Sequence, residues 1–173
     1  SLTALGAASL MALTACSGGT ASSSQSSTSA AASSSSSAPS SITIESDQGN
    51  VEIKLPVQRV ASLDNRTFEV LEQWNVPLVA APKKLIPSTV KAYNTDSVAD
   101  IGMHRDPNLE ALAASNPDLI ISGQRFTRFD SQIAEMNPGV PLINLEPRDG
   151  KPLNEELIRQ VTDLGEIFGH QED

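Results

Sequence analysis

Asn116-Pro117-Asp118-Leu119-Ile120-Ile121-Ser122-Gly123 decides the fold. Asn116-Pro117 stops a helix, and Leu119-Ile120-Ile121 is an uninterrupted apolar run of strand length, which predicts a strand buried on both faces of a parallel sheet. Upstream, Asp106 offers an N-cap and Pro107 a first helical residue for a helix through Leu109, Leu112 and Ala113. Downstream, Phe129, Ile133 and Met136 make another helix face, Asn137-Pro138-Gly139 a turn, and Leu142-Ile143-Asn144-Leu145 a further core strand.

The same alternation runs through the rest of the compact part. Ile42-Thr43-Ile44 and Val51-Glu52-Ile53 flank Asp47-Gln48-Gly49-Asn50, a β-hairpin pattern. Arg59 to Leu63 reads as a strand, followed by a helix carrying Phe68, Val70, Leu71 and Trp74. Val76 to Ala80 is the next strand, Ser88 to Tyr93 a short helix, and Val98 to Ile101 a short extended piece. Leu157, Ile158, Val161, Leu164, Ile167 and Phe168 lie along one stripe of a long helix in which the chain is expected to stop. Strands alternating with helices predict an α/β fold with a Rossmann-like, mostly parallel sheet.

In order along the chain, the hairpin, the strand reaching Asp64, Pro107-Asn108-Leu109-Glu110-Ala111-Leu112, the segment Asn116 to Gly123 and the closing helix resemble the N-terminal lobe of the iron-siderophore and cobalamin periplasmic binding proteins. The segment Pro107 to Gly123 carries most of that resemblance. It implies one lobe of a two-lobe clamshell that delivers ligand to the permease subunits of an ABC importer. The expected layout is a binding lobe over residues 42–152 and the start of an inter-lobe helix over 153–173, with the C-terminal lobe absent from this sequence. Part of the helix stripe is then expected to be exposed where that lobe would cover it.

Residues 1–16 are expected to be a signal-peptide remnant. Leu2 to Leu13 is uncharged and too short to span a bilayer, and no basic segment precedes it, so the beginning of the signal is expected upstream of Ser1. Leu13-Thr14-Ala15-Cys16 resembles the bacterial lipobox, which implies acylation at Cys16. As the only cysteine, Cys16 has no intrachain disulfide partner. Two or three acyl chains, at ~0.8 kcal/mol per buried methylene, would anchor the protein at the outer face of the cytoplasmic membrane of a bacterial envelope. An ordinary secretory signal with Cys16 a spectator is the alternative. Residues 17–41, nearly all Ser, Ala, Thr and Gly, lack the apolar side chains to offset ordering and predict a disordered linker with a reach of about 25 to 30 Å.

Ligands of open parallel sheets sit at the carboxyl ends of the strands. That rule selects Asn65 and Arg66 after the strand ending at Asp64, His104 and Arg105 after Ile101-Gly102, and Gln124, Arg125, Phe126 and Arg128 after Ser122. Four of the seven arginines fall in these loops, although the chain carries a net charge of -9. A cationic mouth on an acidic body points to an anionic ligand, because a guanidinium stays charged and binds carboxylate or catecholate oxygens in pairs. Each residue also has an ordinary role open to it: Arg66 and Arg128 on solvated helix starts, Arg105 paired with Asp100 or Asp106, Phe126 in the core, His104 as a loop residue. In siderophore-binding relatives an arginine just after the Ile-Ser-Gly strand end often contacts the ligand; here Gln124 takes that place and Arg125 the next. The resemblance implies that ferric iron is carried as a siderophore complex, a catecholate among the candidates, with haem and cobalamin as alternatives within the family. With one Tyr and two His far apart, direct iron ligation is not expected. Glu110 matches the surface glutamate with which relatives dock onto permease arginines, and as a first-turn acid it also suits its own helix dipole.

An enzyme is disfavoured: there is no Gly-x-Gly-x-x-Gly after Asp64, no phosphate-binding Gly-x-x-x-x-Gly-Lys-Ser/Thr and no Gly-x-Ser-x-Gly elbow. Glu155-Glu156 reads as a solvated helix face. Nucleic acid is not an expected partner of an acidic chain with 3% aromatics. A monomer is expected, and a non-transport surface lipoprotein is the remaining alternative.

Overall fold

The computed structural model describes residues 40–172. Cys16, the signal-peptide remnant and positions 17–39 of the linker lie outside the described residues. β1 (Ser41–Ser46) and β2 (Gly49–Lys54) form the expected hairpin, with Ile44 opposite Val51 and Ser46 opposite Gly49. Asp47 and Gln48 make its turn, and Gly49 supplies the positive φ of 111° that follows.

The central sheet has five strands, all parallel. β3 (Val60–Ser62) stands in the middle, β4 (Leu78–Ala81) and β5 (Ala99–Asp100) lie to one side, and β8 (Leu119–Ser122) and β9 (Leu142–Asn144) to the other. Every residue of β8 is buried, as the apolar run requires. Successive side chains serve opposite faces. Val60, Leu119, Ile121 and Ile143 pack with the hairpin, α1 (Phe68–Gln73) and α4 (Leu153–Phe168); Ala61, Ile120 and Leu142 pack with α2 (Leu109–Ala114) and α3 (Asp130–Met136). The hairpin is tied to the sheet by the Asp47 N–H on the Asn144 carbonyl at 3.0 Å and by Ser46 Oγ against the same residue.

Four local expectations are corrected. Ser88 to Tyr93 is a chain of turns, not a helix. Val90 and Tyr93 are buried at helical spacing, but the Glu72 carboxylate accepts the N–H groups of Lys91 and Ala92, at 2.7 Å each, in place of helical carbonyls. Those bonds hold the Glu72 pKa below its ordinary value.

The α2 cap is Asn108, whose Oδ1 accepts the Ala111 N–H at 2.9 Å, and not Asp106. Asp106 and Pro107 form a short strand β7, antiparallel to β6 (Gly102–Met103). Gly102 makes this possible with φ 75°, and the Asn108 N–H donates to the Ile101 carbonyl at 2.8 Å.

Helix α4 closes within the chain instead of running off its end. Gly169 takes φ 76° and the His170 N–H donates to the Gly165 carbonyl at 2.8 Å, a helix-terminating arrangement. The ring of His170 stacks on Trp74.

Glu156 is not on a solvated face. It is 2% exposed and takes Arg148 and Arg159 at 2.8 to 3.0 Å, hydrogen bonds that lower its pKa to about 2. The start of α4 thereby buries its polar side, Glu156 and Gln160, and turns Leu153, Leu157, Ile158 and Val161 to solvent. Of the stripe, Leu164 and Ile167 are buried in the core and half-buried Phe168 packs against it.

Candidate functional site

Strand order reverses at β3, since β4 follows on one side and β8 on the other. The crevice between the carboxyl ends of β3 and β8 is therefore the place where an open α/β sheet receives a ligand. A cleft of about 220 Å³ opens there, lined by Leu63, Asn65, Leu85, His104, Gln124, Arg125 and Phe126.

Each loop is held by its own chemistry. Thr67 anchors the β3 loop: its hydroxyl bonds Ser62 Oγ and the Asp64 carbonyl, and its N–H donates to that carbonyl as well. After β8 the chain turns through Gly123 into a 3-10 turn at Gln124–Phe129, with Gln124 at φ 54°. The Gln124 amide donates to Asp64 Oδ1 at 3.0 Å and to Asn65 Oδ1, which joins the two loops. His104 and Arg105 form the two-residue turn of the β6–β7 ribbon.

His104 is the centre of the cationic group. Arg125 Nη1 lies 3.2 Å from His104 Nε2, and Arg128 Nη2 donates to the His104 carbonyl while its guanidinium stacks 4.6 Å from the Phe129 ring centre. Desolvation first, then the positive fields of Arg125, Arg105 and Arg128, holds the His104 pKa below its ordinary value. The lowered pKa favours the neutral imidazole, the form that can accept the Arg125 N–H at Nε2. Its ring meets Phe126 edge to face at 6.4 Å.

Arg105, Arg125 and Arg128 have no ion-pair partner among the described residues, and neither does Arg59, whose guanidinium bonds the Ser115 and Asn116 carbonyls, whereas Arg66, Arg148 and Arg159 do. Asp100, one suggested partner of Arg105, instead accepts the N–H groups of Lys83 and Gly102.

The eight expected ligand residues do not all meet at the cleft. Asn65, His104, Gln124 and Arg125 line it, and Phe126 closes its floor at 1% exposure, a core aromatic rather than an open stacking platform. Arg128 is not among the lining residues and reaches the His104 carbonyl instead. Arg105 faces a second hollow of about 350 Å³ that also contains Asp106, Glu110, Phe129 and Gln132. Arg66 stands apart, 3.7 Å from Glu146 and 4.0 Å from Asp64. Glu110 is exposed on the first turn of α2.

Sequence reasoning passed over Leu63, Leu85 and Asp64. Leu85 sits in a 3-10 turn, Lys83–Leu85, just after β4, so the strand-end rule that selected the other loops also reaches it. Asp64 had one signal, an acid closing an apolar strand. Among the described residues no group of three or more His, Cys, Asp or Glu could hold a metal ion, and no helix is long and apolar enough to cross a membrane.

Residues 60–173 match the periplasmic binding protein family. The ferric-anguibactin-binding protein FatB of Vibrio anguillarum is 33% identical over 132 residues, 75% of this chain and 41% of FatB. The petrobactin-binding protein YclQ of Bacillus subtilis is 21% identical over 73% of this chain and 39% of YclQ. The chain thus spans about two fifths of the length of these curated relatives. Among solved structures, the siderophore binding protein BauB, bound to two molecules of acinetobactin and ferric iron, superposes with a TM-score of 0.67 at 26% identity, covering 76% of this chain and 47% of BauB. The molybdate-binding protein MolA of Haemophilus influenzae shares the fold alone, at 18% identity and a TM-score of 0.62.

Proposed function

Because the chain belongs to the periplasmic binding protein family, we propose that it is the N-terminal lobe of a substrate-binding protein that captures an anionic ferric siderophore and hands it to an ABC import permease. The observation that carries the ligand class is Arg125 in the strand-end cleft beside His104, with Arg105 and Arg128 next to His104 outside it, all three without an ion-pair partner among the described residues, in a chain whose net charge is -9. Unneutralised guanidiniums on an otherwise acidic body draw a negatively charged chelate and repay its desolvation with paired hydrogen bonds. The names of FatB and BauB support the same class.

The cleft supplies one wall only. Its ~220 Å³ is below the roughly 300–1,000 Å³ of small-molecule sites, so a facing lobe would complete it. An iron already saturated by its chelator asks for recognition of the outer ligand shell, which is what arginine offers. Of the cleft residues, Arg125 and His104 would contact the chelate and Asn65 and Gln124 would line its approach; Arg105 and Arg128, outside the cleft, would supply field. Glu110 would dock onto cationic permease residues, and acylated Cys16 would hold the protein at the outer face of the membrane.

The test is calorimetric titration of the full-length protein with ferric anguibactin, ferric petrobactin, haem and cobalamin. A ferric siderophore should bind tightest, and Arg125→Ala should weaken it by about 1 to 3 kcal/mol, the range of a charged hydrogen bond. Preference for haem or cobalamin, or an Arg125→Ala affinity equal to wild type, would remove this reading. Glu110→Gln should leave the affinity intact and lower uptake.

A further inference from the structure

Asp64 lies two residues beyond β3 and has no solvent exposure, yet its carboxylate accepts hydrogen bonds from three separate segments. Its Oδ1 accepts the Gln124 amide and the Arg66 backbone N–H, both at 3.0 Å. Its Oδ2 accepts the Gln160 amide from α4 at 3.0 Å, and the same amide lies 3.3 Å from the Leu145 carbonyl. Gly123 passes directly over it, so close that a Cβ there would sit 2.7 Å from Asp64 Cβ.

The consequence falls on Gln124. A non-glycine residue at φ 54° is held only where its surroundings over-determine it. Here the side-chain amide does so by reaching Asp64 and Asn65. The next residue is Arg125, whose direction toward His104 follows from that backbone setting.

We infer that Asp64 is a positioning residue of the cleft: it fixes Gln124 in its left-handed conformation and so aims Arg125, and through Gln160 it ties this aim to the long helix α4. The inference rests on the reading of the cleft as a ligand site. It assigns to a buried acid that is not among the residues lining the cleft a share in setting affinity, and it makes α4 sensitive to how the β8 loop is seated.

The test uses the full-length protein and whichever of ferric anguibactin or ferric petrobactin the wild type binds. Asp64→Asn leaves one oxygen for three donors, the Gln124 amide, the Arg66 N–H and the Gln160 amide, so its own N–H must face a donor on one side and loosen the junction; the variant should stay folded by circular dichroism and bind roughly tenfold more weakly. A lowered melting temperature with unchanged Kd would mean that Asp64 is structural only and would overturn the inference. Should Asp64→Asn fail to fold, Gln160→Met, which lines no part of the cleft, must still weaken binding several-fold, and an unchanged Kd there overturns it equally. If the wild type binds neither chelate, the reading of the cleft falls separately. Asp64 is then judged by amide spectra, where Gln124 and Arg125 must shift and exchange faster in Asp64→Asn; unaltered resonances defeat the inference.

Discussion

Gly123→Ala should cost the protein stability out of proportion to one methyl group. The added Cβ would meet Asp64 Cβ at 2.7 Å and its Cγ and Oδ2 at 2.8 Å, about 1 Å short of ordinary carbon contact at ~3.5–4.0 Å. φ at Gly123 is 176°, so the backbone itself accepts alanine and the whole penalty is steric. Asp64 cannot withdraw, because Gln124 and the Arg66 N–H hold one oxygen and Gln160 the other. Relief must come from separating β3 and β8, which pair at Ala61↔Ile120 and Ser62↔Ile121 and are locked by the Leu63 N–H on the Ile121 carbonyl at 2.8 Å. Overpacking of this kind costs about 1 to 3 kcal/mol. At about 3 °C per kcal/mol for a domain of this size, the melting temperature should fall by roughly 3 to 9 °C. Thermal unfolding followed by circular dichroism measures it. A melting temperature within error of wild type would refute the claim that Asp64 is pinned.

Two further predictions concern acids at the edge of the core. Glu156→Gln should lower the melting temperature at pH 7; since the Arg148 and Arg159 bonds depress the Glu156 pKa to about 2, the stability it lends is present above its ordinary value of 4.5 and fades as pH falls toward 2, so the gap between variant and wild type should close over that range. A gap independent of pH would contradict the ion-pair explanation. Asp130 behaves oppositely: burial raises its pKa above the ordinary 3.8 despite hydrogen bonds from Ser122 and Gln48, so wild type loses stability as pH rises from 3.8 through the raised value. Asp130→Asn, whose amide can satisfy both neighbours, should be the more stable protein at pH 7 and lose that advantage below pH 3.8; urea unfolding at the two pH values decides.

What the sequence makes legible here is what short range determines. Leu119 to Ile121 is readable because both sheet faces bury it, and the hairpin because Asp47-Gln48-Gly49 is a turn by its own backbone preferences. The arginines after strand ends are readable as a group for the same reason: position after a strand is a local property. Their final roles are not. Arg66 is claimed by Glu146, far along the chain, while Arg105 faces the hollow of Glu110. Ser88 to Tyr93 carries helical spacing, but the acceptor that prevents the helix is Glu72, about twenty residues upstream. Asp106 makes a good cap by type, and loses the role to Asn108 because Pro107 pairs with Gly102. Asp64 depends on Gln124 and Gln160, 60 and 96 positions away, separations at which single-residue patterns carry no information.

The central claim is that a ferric chelate is held over the crevice between the ends of β3 and β8. Its most direct measurement is a crystal structure of the full-length protein with a bound ferric siderophore, with iron located by anomalous scattering. The iron peak should stand over the wall formed by Asn65, His104 and Arg125, with chelator oxygens on the guanidinium of Arg125. A peak on any other face, or a chelate that leaves Arg125 on His104 and untouched, would contradict it.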